Sequence, residues 1–384
     1  MAKDRNNAIV SMGGVLKSGL ARGVCALEQA LEGRAARQPL SEMSDFLLLQ
    51  HATALGSVVH ATPLIAALRK AVPKCRIVVA ASGMAVEIFR HNPGIDALVQ
   101  TPSPFKDLRA SAAALLERNP LRGAQFATIT TMGNERSRIA LQAVLGGARD
   151  RVGFAVTPEL YRAPLRFDPK MSQIANNLRV IGALGHSVEF SAKTIEPRVF
   201  FSYKDLAWAM RTLEASGVTD GQKVAVLVTQ TSVTQRKSWR PERFQAAAKF
   251  LHERYGAHIV FVGTEGEAAA IDAIRAGIEF QTTSVAGKTS LTELTALLSM
   301  CDVGLTLDTG TMHLGRAVGL PMVIVAPAWS PPVEWLPVGN PKVRILKNRD
   351  MPAATPDYII DEVSVDEVTE ALAELLRLYP RQGW

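Results

Sequence analysis

Cysteine is scarce in this 384-residue chain, with 3 residues at Cys25, Cys75 and Cys301. Their wide spacing gives neither a zinc-ligand pattern nor a disulfide framework, so free thiols in a reducing cytoplasm are expected. No apolar run is long enough to span a bilayer, and the N-terminus lacks the apolar core and cleavage site of a secretory signal. Aromatic residues make up 6% of the chain, and no basic run is interleaved with them, which argues against nucleic acid as a partner. A Gly-x-Gly-x-x-Gly turn after a strand is also missing, which removes the phosphate turn that a nicotinamide-dependent oxidoreductase needs.

What is present fits a large globular chain. It is 47% hydrophobic and 21% charged, and its length suits two domains. The net charge of +7 suits an anionic partner: a nucleotide sugar, a phosphorylated lipid or a membrane surface.

Residues 1–45 stand apart from the rest. Val15, Leu16, Leu20, Val24, Leu27 and Leu31 recur at helical spacing, with Lys17, Arg22 and Glu28 off that stripe. An amphipathic helix is expected, docked on the protein or another subunit, or lying on an anionic membrane face. Residues 34–45 read as a linker.

From Phe46 onward strands and helices alternate. Short apolar runs at Phe46–Leu49, Arg76–Ala80, Ala97–Gln100 and Phe126–Thr130 are separated by helical patterns at Ala61–Lys70, Met84–His91 and Ala110–Glu117. Residues 150–200 are richer in proline and read as an irregular crossing between domains. A second series begins at Val224–Val228 and runs through Phe244–Tyr255, Ile259–Val262, Ala268–Ala276, Ser284–Ala286 and Met322–Val325. Such alternation predicts an α/β protein of two Rossmann-like domains facing a cleft, each a parallel sheet covered on both faces. A last helix, Ser364–Leu378, opens with capping-box spacing at Ser364 and Glu367.

Ligands of open α/β sheets bind beyond the carboxyl ends of the strands. The loop after the apolar run ending at Leu307 is Asp308-Thr309-Gly310-Thr311-Met312-His313. Unpaired N–H groups and the positive dipole end make the following helix start a seat for a phosphate or diphosphate. The competing reading is an ordinary cap, with Asp308 or Thr309 closing a helix that binds nothing. The loop Thr229–Lys237 offers Thr229, Thr231, Ser232, Thr234, Arg236 and Lys237, groups suited to a diphosphate or simply to water. Glu265, in Gly263-Thr264-Glu265-Gly266-Glu267, can accept two ribose hydroxyls; alternatively Glu265 and Glu267 favour the dipole of the next helix. His313 reads as a hydrogen-bond donor to a phosphate or as a core histidine.

The order Ala286-Gly287-Lys288-Thr289-Ser290-Leu291, helix, strand, Asp308-Thr309-Gly310-x-x-His313, helix, Gly319-Leu320-Pro321, strand resembles glycosyltransferase family 9, the lipopolysaccharide heptosyltransferases. Leu55-Gly56-Ser57-Val58-Val59-His60, Lys237-Ser238-Trp239-Arg240-Pro241-Glu242 and Asn176-Asn177-Leu178 resemble further segments of that family, in its order. The resemblance covers about Phe46 to Pro331.

It implies a GT-B type fold, with an acceptor domain over residues 46–200 and a donor domain over 201–362. The terminal helix, residues 363–384, often packs back across the domain boundary in such folds. A cytoplasmic inverting transfer is implied, from a nucleoside-diphosphate sugar to a lipopolysaccharide core or other cell-surface glycan, with ADP-heptose the default donor. Peripheral contact with the inner membrane is one expectation for such an acceptor. The resemblance places the phosphate-binding lysine on Lys237, the ribose carboxylate on Glu265, and further donor contacts on Thr229, Thr231, Asp308, Thr309, Gly310, Thr311 and His313. Cations and a helix N-terminus can stabilise a leaving diphosphate, and no Asp-x-Asp pair is present, so metal independence is expected and no cofactor is required.

Three departures stand out. The family usually has a general-base aspartate directly after Gly56, and here the residue is Ser57, which accepts a proton poorly at neutral pH. His60, His51 or Glu87 could take over as base, or a phosphate could accept the proton. Otherwise the chain is a catalytically weakened sugar-nucleotide-binding or assembly protein. His51 stands where a basic acceptor-binding residue is usual, and Ala326-Pro327-Ala328 replaces Gly-Pro-Thr beside the donor sugar.

Overall fold

The computed structural model describes residue 23 and residues 37–190, 196–231, 237–329, 332–351, 355 and 358–381. The expected N-terminal amphipathic helix lies outside the described residues, as do Ser232, Thr234 and Arg236 of the lysine loop. The chain divides into two compact units, Met1–Ile195 and Glu196–Trp384.

The first unit is built on β1 (Asp45–Gln50), β2 (Arg76–Ala81), β3 (Ala97–Gln100), β4 (Ala127–Thr130), β5 (Asp150–Phe154) and β6 (Ala163–Leu165). They form one parallel sheet in the order β3-β2-β1-β4-β5-β6. Phe46, Leu47, Leu48 and Leu49 are all fully buried, because a parallel sheet is covered on both faces and its central strands carry continuous apolar runs. The register sets Leu48 beside Val79 on one side and Ile129 on the other.

The second unit repeats the plan with β7 (Val224–Val228), β8 (His258–Phe261), β9 (Thr282–Ser284), β10 (Val303–Leu307), β11 (Met322–Val325) and β12 (Val343–Leu346). All pairings are parallel, in the order β12-β11-β10-β7-β8-β9. Counted from each unit's first strand, the two orders are the same doubly wound pattern. The strand order reverses between β1 and β4 in the first unit and between β7 and β10 in the second. Val365–Leu378 packs on this second sheet through Val368, Leu372, Leu375 and Leu376, spaced as one helical face.

The stretch from 150 corrects the expectation of an irregular crossing: β5 and β6 complete the first sheet, and a helix follows at Gln173–Ala183. The charges of β5 disguise it. Arg151 is buried, with its guanidinium donating to the carbonyls of Leu160 and Ala148, and Asp150 pairs with Arg162 at 2.6 Å. The helix expected over Ala61–Lys70 is Pro63–Ala71, and a further short helix, Leu55–Val59, stands before it where a loop was expected.

Candidate functional site

In the second unit the reversal point lies between β7 and β10, and the loops leaving these strands carry Thr229, Thr231, Lys237 and Asp308. Lys237 and Asp308 meet there. The ammonium lies 2.7 Å from Asp308 Oδ2, with side chains only 10% and 4% exposed. A buried pair of this kind is held by mutual need, since either charge alone would be stranded in a dry environment. Lysine has three N–H donors, and the carboxylate oxygen takes only one of them at close range.

The helix Gly310–Ala317 starts three residues beyond Leu307, with Thr309 at its N-cap position. The ordinary-cap reading fails for Thr309, which makes no side-chain capping bond, while Asp308 Oδ2 pairs with Lys237. Thr309 Oγ1 is buried without a hydrogen-bond partner among the described residues. Ser290 and Ser364, by contrast, cap their helices in full capping boxes with Glu293 and Glu367. The helix start at Gly310 and Thr311 thus stands beside the Lys237 ammonium, with the Thr309 hydroxyl not used as a cap.

His313 follows in the same helix and is 4% exposed. Burial pushes its pKa down to about 4, opposed by the Asp308 charge and aided by Arg316 and Lys237. It is a neutral imidazole at physiological pH. Trp335 lies against it, ring centroids 5.9 Å apart.

Glu265 and Glu267 part company. Glu267 accepts the Thr264 N–H at 2.7 Å and closes a capping box, as the structural reading has it. Glu265 is exposed beyond the end of β8, and its carboxylate makes no hydrogen bond or ion pair among the described residues. Its backbone is fixed by Gly287, whose φ is +70°, and a Cβ there would stand 2.7 Å from Glu265 Cα. The Ala286-Gly287-Lys288 segment thus needs glycine to seat the Glu265 loop.

In the first unit the reversal point lies between β1 and β4. Ser57 sits here, in the helix Leu55–Val59 with Gly56, and is 6% exposed. A Cβ on Gly133, in the loop after β4, would lie 2.8 Å from Ser57 Cβ, and Gly133 has φ +83°. Around this contact is a buried polar cluster. Asn134 Oδ1 accepts the His51 N–H at 2.6 Å, and Gln50 Nε2 donates to Thr131 Oγ1 at 3.0 Å. Asn177, in Gln173–Ala183, accepts the Met132 N–H and donates to the His60 carbonyl, pinning both loops. The asparagine motif was visible in the sequence; its clamping role needed the fold.

His51 and His60 are 2% and 1% exposed. His51 Nδ1 meets Ser82 Oγ at 2.9 Å, and burial lowers its pKa to about 4, opposed by the nearby Gln142 amide, which favours the protonated ring. It is a poor proton acceptor. Glu87 stands in the first turn of Met84–Arg90, half-buried beyond β2. Among the described residues, no three His, Cys, Asp or Glu side chains gather as a metal-holding group, and no helix is long and apolar enough to cross a membrane.

The family model for glycosyltransferase family 9 (heptosyltransferase) matches residues 159–356, more than half of the chain. The chain belongs to glycosyltransferase family 9. It is 24% identical over 318 residues to lipopolysaccharide heptosyltransferase 3 of Escherichia coli, covering 77% of this chain and 88% of that protein. It is 30% identical over 123 residues to the lipopolysaccharide core heptosyltransferase OpsX of Haemophilus influenzae. That match spans 32% of this chain and about a third, 35%, of OpsX. The structure of E. coli ADP-heptose lps heptosyltransferase II superposes with a TM-score of 0.69 at 16% identity, covering 86% of this chain and 98% of that one, which shows a shared fold. As a family 9 glycosyltransferase, the chain keeps the Asp308–His313 loop and Lys237 inside the matched region, while Ser57 lies outside it.

Proposed function

We propose that this family 9 glycosyltransferase transfers heptose from ADP-heptose to a lipopolysaccharide core acceptor, without a metal and with inversion. The observation that carries the reading is the Lys237–Asp308 pair at the reversal point beside a helix start whose threonine hydroxyl caps nothing. Lys237, held in place by Asp308, and the Thr309, Gly310 and Thr311 groups supply a preorganised positive seat for a departing diphosphate. His313 adds a neutral donor, Thr229 and Thr231 add hydroxyls, and Glu265 accepts the ribose hydroxyls. The related proteins named for ADP-heptose and lipopolysaccharide support heptose and that acceptor.

In this mechanism residues 201–362 hold the donor and residues 46–200 the acceptor. An acceptor hydroxyl attacks the anomeric carbon from the face opposite the diphosphate, and the carbon–oxygen bond to the diphosphate breaks. Gly56, Ser57 and His51 border the acceptor. The proton acceptor is unassigned among Glu87, His60 and a substrate phosphate, because Ser57 replaces the usual carboxylate. The test is calorimetric titration with ADP-heptose, ADP, UDP and GDP, without added metal, for the wild type and Lys237→Ala. Tight ADP-heptose binding that Lys237→Ala weakens at least tenfold supports the reading; binding of UDP or GDP alone discards heptose from ADP.

A second reading, a binding or assembly protein with weakened catalysis, is favoured by Ser57 itself, which is buried in a segment that has no acidic side chain between Gln50 and His60. Ser57→Asp separates the two. A gain in transfer at unchanged donor affinity marks a degenerate enzyme; measurable wild-type transfer that Ser57→Asp does not raise leaves the first reading standing.

A further inference from the structure

The strand order gives the C-terminal unit's carboxyl edge a sequence of chemistries. Along it stand Glu265 after β8, Thr229 and Lys237 after β7, Asp308–Thr311 after β10, and Ala326–Trp329 after β11. Neighbouring strands are about 4.8 Å apart, so this edge spans three spacings, about 14 Å. A nucleoside-diphosphate sugar is a linear molecule: base and ribose, two phosphates, sugar. With ribose at the carboxylate and diphosphate at the lysine and helix start, the sugar must extend to the β11 side. This ordering rests on the donor-site reading above.

The residue waiting there is aromatic. Lys237 Nζ lies 5.4 Å from the centroid of the Trp329 ring, so the indole borders the diphosphate seat directly. Its loop is braced. The Ala328 N–H donates to the Tyr358 hydroxyl at 3.0 Å, and the Ala328 carbonyl accepts from Lys347 Nζ and from the Met351 N–H, each at 3.0 Å. Tyr358 donates in turn to Glu362 at 2.5 Å. Ala326 is tied to β12 through the Leu346 carbonyl at 2.9 Å. Three bonds converge on the residue before Trp329, although the neighbouring residues Ala326, Pro327 and Ala328 bring no polar side chain. The loop therefore presents a braced aromatic surface in place of hydroxyl side chains.

We infer that Trp329 is the platform for the donor's sugar ring, packing its apolar C–H face and selecting donors whose ring presents one. A large flat face offers contact area at small entropic cost, because its orientation is already fixed by the loop and by Lys237. Trp329 acts on the sugar portion alone, while Lys237 and the helix start act on the portion every nucleoside diphosphate shares.

Matched pairs test this by calorimetry: ADP and ADP-heptose, UDP and UDP-glucose, GDP and GDP-mannose, with the full-length wild type, Trp329→Leu and Trp329→Phe. For whichever pair binds, Trp329→Leu should leave the nucleotide within about twofold and weaken the nucleotide sugar about tenfold, and Trp329→Phe should retain most of that increment. Unchanged nucleotide affinity also shows that the variant is folded. Equal losses for nucleotide and nucleotide sugar would overturn the inference, since the ring would then act through Lys237. So would no loss for either. A wild type that binds a nucleotide but gains nothing from its sugar refutes the platform while keeping the donor seat. Binding of none of the six removes both.

Discussion

At the scale of single residues, the proposed donor seat rests on a pair whose members depend on each other. Lys237→Ala strands the Asp308 carboxylate in a site where it is 4% exposed. The expected cost is about 3 kcal/mol of unfolding free energy in addition to the loss of nucleotide affinity. Replacing both, as Lys237→Met with Asp308→Leu, removes the stranded charge. Urea denaturation should find most of the stability restored while calorimetry finds nucleotide binding still absent; if stability and binding return together, the pair is not the seat. The buried histidines make a second residue-scale prediction. His51 and His313 are pushed from 6.5 down to about 4 by burial. The unfolded chain therefore holds these protons at pH values where the fold does not. Stability from them is complete above about pH 6.5 and is lost as pH falls toward 4, by at most roughly 3 kcal/mol per ring. The melting temperature should drop across that window, and His313→Gln should flatten the slope.

At the scale of elements, two threonine or serine starts that look alike in sequence differ in use. Ser290→Ala removes a cap that accepts the Glu293 N–H at 3.2 Å, and should cost about 1 kcal/mol with no direct loss of a nucleotide contact. Thr309→Ala removes a hydroxyl that caps nothing, so thermal melting should scarcely move while ADP affinity falls several-fold. The opposite pattern would return Thr309 to an ordinary cap. The same contrast shows what was legible beforehand. Capping boxes at Ser290 and Ser364 and the apolar strands at Val224–Val228 and Met322–Val325 follow from local spacing, and the structure has them there. Strands β5 and β12 were hidden because their polar side chains are satisfied by partners outside the strand, and β6 because it is only three residues long. Arg344 of β12 pairs with Glu374 at 2.7 Å, and β6 carries Pro164, which an edge strand tolerates. Lys237 and Asp308 each stood out as candidates, but 71 residues separate them, so only the reversal of strand order brings them together. Trp329 gave one usable signal, its place in the loop directly after the Met322–Val325 strand.

At the scale of the whole molecule, every residue proposed for the donor lies after Glu196, in a unit with its own sheet and its own core. That core is built from Leu227, Phe244, Ile259, Leu305, Val323 and the terminal helix through Leu372 and Leu375. Helix and sheet here are closed by contacts within the unit: Trp239 Nε1 donates to the Val363 carbonyl at 3.0 Å, and Arg243 bonds the carbonyls of Asp361 and Val363. A segment with a complete core of that size can fold alone. A fragment starting at Glu196 should therefore unfold in one cooperative transition and bind ADP within about threefold of the full chain, while having no transferase activity, because the candidates for the acceptor side all lie before Ile195. A fragment that folds cooperatively but does not bind ADP would mean that the first unit completes the nucleotide seat, and the assignment of Lys237, Asp308 and Glu265 as a self-sufficient set would have to be given up.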